Sequence, residues 1–150
     1  MIDRNQITLR TASAADEGFL VQLRRVTMYQ VVTNHFLWDD EAQHQRVMLN
    51  YESARVIRMG NLEIGLFKVV YSASEVHLSQ IQLMPKYQGM GIGTKLISVL
   101  QTGCTQTKMP ITLHVFRSNP ALRLYLKLGF NITSSDADGH MMQWSPFQRS

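Results

Sequence analysis

Three alternating glycines are the clearest sign of a binding site in this sequence. Gly89, Gly91 and Gly93 follow Gln88 and lead directly into an apolar pattern typical of a helix. Glycines let main-chain N–H groups approach a ligand closely, and the first turn of a helix favours negative charge. A plain strand-to-helix turn would need fewer glycines than three. The segment therefore predicts a site for phosphate oxygens.

The spacing of this loop excludes two common phosphate-binding sequences. A Walker A loop requires glycine immediately before Lys95, and a dinucleotide fingerprint requires glycine at the same position. Thr94 stands there instead. What remains is the pattern Gln-x-x-Gly-x-Gly, formed by Gln88, Gly91 and Gly93.

A second motif lies downstream, in the segment LHVFRSNPALRLYLKLGF of residues 113–130. This segment resembles the final strand, Asn-Pro-Ala turn and tyrosine-bearing helix of the GNAT family of N-acetyltransferases. The earlier segment IQLMPKYQGMGIGTKLI resembles the acetyl-CoA site of that family, and VTMYQVVTNHFLWDDEAQ is similar to its early helices. The resemblance implies direct transfer of acetyl from acetyl-CoA to a primary amine in a ternary complex, with no metal.

The resemblance also implies a set of acetyl-CoA contacts. The main chain of Leu83 would face pantetheine and the thioester, although packing explains its side chain. The other contacts would come from Gln88, Gly89, Met90, Gly91, Ile92, Gly93, Thr94 and Asn119. The side chain of Gln88 would either orient the loop or contact phosphate. Asn119 precedes Pro120 and is also a natural N-cap for the next helix.

Two residues are candidates for proton transfer. The resemblance places the Tyr125 hydroxyl near the thioester sulfur, where it would protonate the departing thiolate. His77 lies 88 − 77 = 11 residues before Gln88, where many family members carry a glutamate base. Glu75 lies on the same strand face and is the alternative base, acting directly or through water. A lone strand histidine is often structural, so a role for His77 stays open.

The acceptor side of the site is less defined by sequence. In the resembled family, the segment that holds Tyr29, His35, Phe36 and Trp38 borders the acceptor pocket. Packing against the sheet is the alternative for these rings. The sequence leaves both small-molecule and protein amines open as acceptors.

Length and composition limit the number of domains and the classes of partner that we expect. The length of 150 residues predicts one domain covering residues 1–150, and the formal charge of +4 is scattered without a basic tract. We therefore expect no nucleic-acid partner.

The start of the sequence lacks a long apolar run, which predicts no membrane span and a cytoplasmic protein. The single cysteine, Cys104, is expected to be structural, and a homodimer is an option. A non-catalytic acyl-CoA-binding or regulatory module is the main alternative.

Periodicity predicts the elements that must position these residues. Strands are expected at 7–10, 75–84 and 111–116. The turn dipeptide Gly60-Asn61 predicts a hairpin of 54–59 and 62–72, and a terminal pair is expected at 130–133 and 141–144. The first helix is expected from Asp16 to about Tyr29, with a face of Phe19, Leu23 and Val26. The second is expected from Asp39 or Asp40, whose carboxylates suit an N-cap, to residue 51. The third is expected from Gly91 to near Gly103, with a face of Ile92, Leu96, Val99 and Leu100, and the fourth over 120–128. The order βααβββαβαββ predicts a mixed α/β (α+β) sheet. The resemblance to the GNAT family implies a GNAT-like acyltransferase fold, with a central, mostly antiparallel twisted sheet flanked by helices.

Overall fold

The computed structural model describes residues 6–147 and has the predicted order of elements. The strands are β1 Ile7–Thr11, β2 Ala54–Met59, β3 Leu62–Tyr71, β4 Val76–Leu83, β5 Ile111–Phe116, β6 Asn131–Ser135 and β7 Gly139–Trp144. The helices are α1 Glu17–Thr33, α2 Asp40–Met48, α3 Ile92–Thr107 and α4 Ala121–Lys127. The predicted domain of residues 1–150 includes 1–5 and 148–150, which lie outside the described residues.

The seven strands form one sheet in the order β1-β2-β3-β4-β5-β7-β6. The strand pairs β1–β2, β2–β3, β5–β7 and β6–β7 are antiparallel. β4 and β5 are parallel, through the pairs Val76↔Ile111 and His77↔Thr112. The mixed, mostly antiparallel sheet confirms the predicted fold class.

The chain divides into two compact units. The first combines the chain up to Val69 with Gln80–Ile92. Its apolar core contains Leu20, Leu23, Val47, Ala54 and Leu66. The second combines Val70–Ser79 with the chain from Gly93 onward. Its buried side chains include Ile97, Ile111, Leu113, Val115, Phe130 and Met142.

Helix α1 is longer than predicted, and its buried face differs from the prediction. Leu20, Leu23 and Arg24 are buried, whereas Val26 is 43% exposed. Apolar residues occur nearly all round this helix, so their spacing alone does not select one face. The prediction for Val26 was wrong for this reason.

Helix α3 ends one turn later than predicted. Gly103 does not end it, because the helix continues to Thr107 and a Cβ at Gly103 would meet no atom within 4 Å. Val99 is 64% exposed, while Ile97 and Cys104 are buried with Ile92. The predicted face was therefore wrong at Val99. The burial of Cys104 agrees with a structural thiol and raises its pKa.

None of the helices within residues 6–147 is long and apolar enough to cross a bilayer.

Both ends of α2 are held by side-chain hydrogen bonds. The Asp39 carboxylate accepts the main-chain N–H groups of Glu41 and Ala42, which confirms the predicted N-cap. At the other end, the ammonium of buried Lys68 donates to the carbonyl oxygens of Val47, at 2.8 Å, and Leu49, at 2.6 Å. These bonds satisfy carbonyl groups that a helix end leaves without partners. Helix α2 is therefore tied to β3, which carries Lys68.

Burial lowers the pKa of Lys68 to about 8, and the nearby cations Arg46 and Arg24 lower it further. The first unit thus holds several cations in a region with little access to water.

We predict opposite effects on stability for two glycine substitutions. In Gly65→Ala the new Cβ would overlap the carbonyl oxygen of Gln82 and lie 2.9 Å from Leu83 Cδ2. This overlap should lower the free energy of unfolding by about 1–3 kcal/mol. Gly103→Ala is the matched control, because the open helical position should raise stability by about 0.5–1 kcal/mol. Urea unfolding measures both, and a Gly65→Ala protein as stable as wild type would contradict the close approach of β3 and β4.

Candidate active site

The glycine loop joins β4 to α3 and presents its main chain without a side chain at Gly89 and Gly91. After the short 3-10 turn Pro85–Tyr87, Gly89 has φ +75° and Gly91 has φ +82°. Residues with a Cβ rarely adopt this conformation, so glycine is required at both positions. A Cβ built at either glycine would meet no atom within 4 Å. The loop therefore has room beside its main chain for a phosphate group, which fits the predicted ligand.

Gln88 ties this loop back to the strand. Its side-chain amide donates a hydrogen bond of 2.9 Å to the carbonyl oxygen of Leu83, the last residue of β4. Sequence allowed Gln88 either to orient the loop or to contact phosphate. The bond to Leu83 supports the orienting role. The side chain of Ile92 is buried, so only its main chain is a candidate contact.

Asn119 caps α4 as expected. Its side-chain oxygen accepts the main-chain N–H of Ala121 at 2.9 Å. The helix begins at Ala121, one residue after the predicted start at Pro120. Among the described residues the side-chain N–H₂ of Asn119 has no hydrogen-bond partner. The amide thus combines a satisfied cap with a donor that remains available to a ligand.

Tyr125 lies in α4 and is almost fully buried, with 6% of its surface exposed. Its ring packs edge-on against Phe130 with centroids 5.9 Å apart. Burial raises the pKa of Tyr125 to about 12. Its hydroxyl has no hydrogen-bond partner within residues 6–147, although buried tyrosine hydroxyls usually have one. Tyr125 therefore presents a protonated donor that packing alone does not require.

His77 is part of a hydrogen-bonded chain. Its Nδ1 lies 2.8 Å from the hydroxyl oxygen of Thr112, the residue opposite it in the parallel register. The Thr112 hydroxyl also donates to the carboxylate of Glu75. Because a hydroxyl has one proton, this arrangement makes Thr112 the acceptor of an Nδ1–H from His77. Glu75 and His77 therefore meet at the same Thr112 hydroxyl, although Glu75 lies just before β4, which begins at Val76.

Nothing in the sequence pattern singled out Thr112 as a partner of His77. The pairing of β4 with β5 spans more than thirty residues of sequence, and no local pattern in either strand fixes that register.

The predicted acceptor aromatics are partly exposed. Tyr29 and Phe36 are 44% and 52% exposed. Tyr29 packs against Trp38 with ring centroids 5.3 Å apart, and the Arg25 guanidinium lies over both rings. Trp38 donates to Asp40 at 2.8 Å. Burial in the core therefore does not account for Tyr29 or Phe36.

A cavity of about 280 Å³ lies between α1 and α2. Trp38 is the one predicted acceptor residue that lines it. The other lining residues are Val21, Gln22, Arg24, Arg25, Asp40, Glu41, Gln43 and His44.

The predicted site residues are distributed over both units. The first unit contains the acceptor aromatics, Leu83 and residues 88–92 of the loop. Hydrogen bonding or ring packing joins Leu83 with Gln88, Tyr29 with Trp38, and His35 with Phe36. The second unit contains His77, Gly93, Thr94, Asn119 and Tyr125.

Comparison with known proteins identifies the family. A family model described as the acetyltransferase (GNAT) domain matches residues 12–149. This chain belongs to the GNAT family. The GNAT chain is also 36% identical over 73 residues to the mouse thialysine N-epsilon-acetyltransferase. That match covers 43% of this chain and 41% of the mouse protein, so the chain spans less than half of that relative.

Solved structures share the fold of this GNAT chain. The PaiA N-acetyltransferase from Thermoplasma acidophilum, in complex with coenzyme A, matches with a TM-score of 0.73 and 18% identity over 93% of this chain and 98% of that one. The ribosomal-protein-S18-alanine N-acetyltransferase from Escherichia coli matches with a TM-score of 0.69 and 18% identity over 96% of each chain. These similarities confirm the predicted GNAT fold.

The raised pKa of Tyr125 predicts a loss of stability in alkali. The folded chain keeps this proton to about pH 12, whereas the unfolded chain releases it near the ordinary pKa of about 10. The protonated Tyr125 hydroxyl therefore contributes its full stabilisation of the fold below about pH 10. The free energy of unfolding should fall by up to about 2 kcal/mol as the pH rises toward 12.

Urea unfolding of wild type and Tyr125→Phe between about pH 9 and 11 checks this prediction. The variant should show a shallower decline, and tyrosinate absorbance should lack one late-titrating group. Identical slopes for the two proteins would contradict the burial of this hydroxyl.

Proposed function

We propose that this GNAT protein transfers the acetyl group of acetyl-CoA to a primary amine by direct attack within a ternary complex. The loop of residues 88–93 carries the proposal, because Gly89 and Gly91 have positive φ and border open space, and the helix of 16 residues that begins at Ile92 follows them. The pyrophosphate of acetyl-CoA would accept hydrogen bonds from main-chain N–H groups between Gly89 and Thr94, including those of Met90 and Ile92.

The end of β4 would receive the pantetheine arm. We assign this role to the main chain of Leu83, whose carbonyl already accepts the Gln88 side chain. That bond would hold the strand end and the loop in one arrangement before the ligand arrives, which lowers the entropic cost of binding. The side-chain N–H₂ of Asn119, which has no partner within residues 6–147, would supply a further donor to coenzyme A.

Tyr125 would act as the general acid. The amine nitrogen attacks the acetyl carbonyl carbon, the new C–N bond forms, the C–S bond breaks, and the Tyr125 proton passes to the departing thiolate. A tyrosine hydroxyl is protonated at neutral pH, since its ordinary pKa is about 10, and burial raises the pKa of Tyr125 to about 12. The absence of a competing partner within residues 6–147 leaves the proton available for transfer.

His77 would act as the general base, directly or through water. Its Nδ1–H donates to Thr112, which donates to the Glu75 carboxylate. In the neutral ring this leaves the lone pair on Nε2, the atom that would accept the proton lost by the attacking amine. Glu75 then acts on the ring through Thr112, and a direct role for Glu75 as base has less support because its carboxylate already accepts that hydroxyl.

The acceptor is proposed to bind beside Tyr29, Phe36 and Trp38. The partial exposure of these rings supports a binding role, and the proposal covers primary amines on small molecules and on proteins. The mouse relative is named for acetylating thialysine, which places that amine among the acceptors to test. Cytoplasmic location and a homodimer stay predictions.

An assay of thiol release from acetyl-CoA across a panel of small amines and amine-bearing peptides tests the proposal. Release that depends on one class of amine, with the acetylated product seen by mass spectrometry, is the expected result. Binding of acetyl-CoA without acetylation of any amine would instead favour the non-catalytic acyl-CoA-binding module.

Tyr125→Phe should separate binding from turnover. We expect kcat to fall by about 10²-fold or more, because the general acid is lost. The Kd for coenzyme A should stay within about twofold, because the loop is unchanged. Calorimetry and steady-state kinetics measure the two quantities. Unchanged kcat in the variant would exclude Tyr125 as the acid.

Thr112→Val should release the ring of His77 from its fixed tautomer. In the wild type, imidazole ¹⁵N shifts should report an Nδ1-protonated neutral ring, whereas the variant should give a mixture of tautomers and a kcat about tenfold lower.

Ser135→Ala is the matched control for this experiment, because the Ser135 hydroxyl lies 2.7 Å from Nδ1 of His140. It should alter the His140 signals and leave those of His77 and the turnover unchanged. A wild-type His77 protonated on Nε2 would overturn the hydrogen-bond direction described above.

A further inference from the structure

The cavity between α1 and α2 is lined by a buried cation, Arg24, for which residues 6–147 supply no counter-charge. Arg24 lines the cavity and is only 6% exposed. Its Nε donates to the side-chain oxygen of Gln43 at 2.7 Å. Within the described part of the chain no carboxylate pairs with this guanidinium, and neither of its Nη groups has a hydrogen-bond partner.

The surroundings of Arg24 increase the free-energy cost of burying its charged guanidinium. Burial lowers the pKa of Arg24 to about 10, and the nearby cation Arg46 lowers it further. The buried cation Lys68 interacts with the same two arginines. Buried charges are expensive unless they are paired. An unpaired buried guanidinium that faces a cavity is therefore suited to receive an anion from a ligand.

The geometry of Arg24 selects the type of anion. With Nε held by Gln43, the two Nη groups can donate side by side, which matches the two oxygens of a carboxylate. The Nη groups are not among the buried atoms that lack partners, in contrast to Nε of Arg58. They therefore remain accessible to a small molecule.

The more exposed part of the cavity lining is acidic. The side chain of Asp40 is 87% exposed and pairs with Arg25 at 3.2 Å, and exposed Glu41 follows it. Two guanidiniums and two carboxylates thus line the cavity. A simple anion would face these carboxylates unfavourably, whereas a molecule with both charges would match each part of the lining.

We propose that the α1–α2 cavity binds a small amino-carboxylate, whose carboxylate accepts hydrogen bonds from Arg24 and whose ammonium faces Asp40 and Glu41. The cavity volume of about 280 Å³ is that of a small-molecule site. This binding goes beyond the proposed acetyl transfer and does not require it, so it is measured in the absence of acetyl-CoA.

Thermal unfolding at constant ionic strength tests the proposal with glycine, γ-aminobutyrate and 6-aminohexanoate as probes. At ten times its Kd, the best of these should raise the Tm of the wild type by about 3 °C. The matching carboxylate without an amine should bind more weakly. The matching amine without a carboxylate should give no shift.

Two variants decide whether Arg24 binds the probe and so causes the rise in Tm. Arg24→Met should abolish the shift, while the Tm without ligand stays the same or rises because an unpaired buried charge is removed. Arg123→Met, at an exposed arginine of α4, should keep the shift. Should Arg24→Met fail to fold, Arg24→Lys keeps the charge without the planar fork and should weaken binding about tenfold.

A shift that persists in Arg24→Met, an amine that binds as well as the amino-carboxylate, or no shift with any probe would overturn the proposal. Adding acetyl-CoA to the bound probe then shows whether the cavity ligand is the acetyl acceptor or a separate ligand. An N-acetylated probe, detected by mass spectrometry, identifies the cavity ligand as the acceptor, and an unchanged bound probe identifies a separate ligand.

Discussion

A main chain can bind a polyphosphate only where no side chain stands between its N–H groups and the phosphate oxygens. Gly89 and Gly91 meet this condition, because both have positive φ and both border open space. The condition also requires that the loop be held in place, since glycine adds flexibility. The bond from Gln88 to Leu83 and the start of α3 at Ile92 provide that support. The proposed chemistry depends on this combination of an open main chain and fixed ends.

Strand β4 connects this loop to the proposed proton transfers. Its first residues pair with β5, which places His77 opposite Thr112, and its last residue is joined to the loop by Gln88. The opposite edge of β4 lies so close to β3 that Gly65 cannot carry a Cβ without overlap at Gln82. One strand thus presents a candidate base near its start and a candidate ligand contact at its end.

Local signals made part of this structure predictable. The loop glycines, the cap by Asn119, the cap by Asp39 and the Gly60-Asn61 hairpin each depend on residues only a few positions apart, and each was predicted from them. Features set by contacts distant in sequence were not predicted. These include the choice of buried face in α1, the continuation of α3 past Gly103, the role of Thr112 and the burial of Arg24. Packing between residues that are far apart in sequence determines such features, and local propensity or periodicity does not predict that packing.

The proposed binding of the acetyl-CoA pyrophosphate by the main chain of residues 88–93 is tested most directly by amide ¹H–¹⁵N spectra during titration with coenzyme A. We predict saturable shifts at Gly89, Gly91 and Gly93, and no such shifts with pantetheine, which lacks the pyrophosphate. Saturable binding of coenzyme A that leaves these three amides unmoved would contradict the proposal.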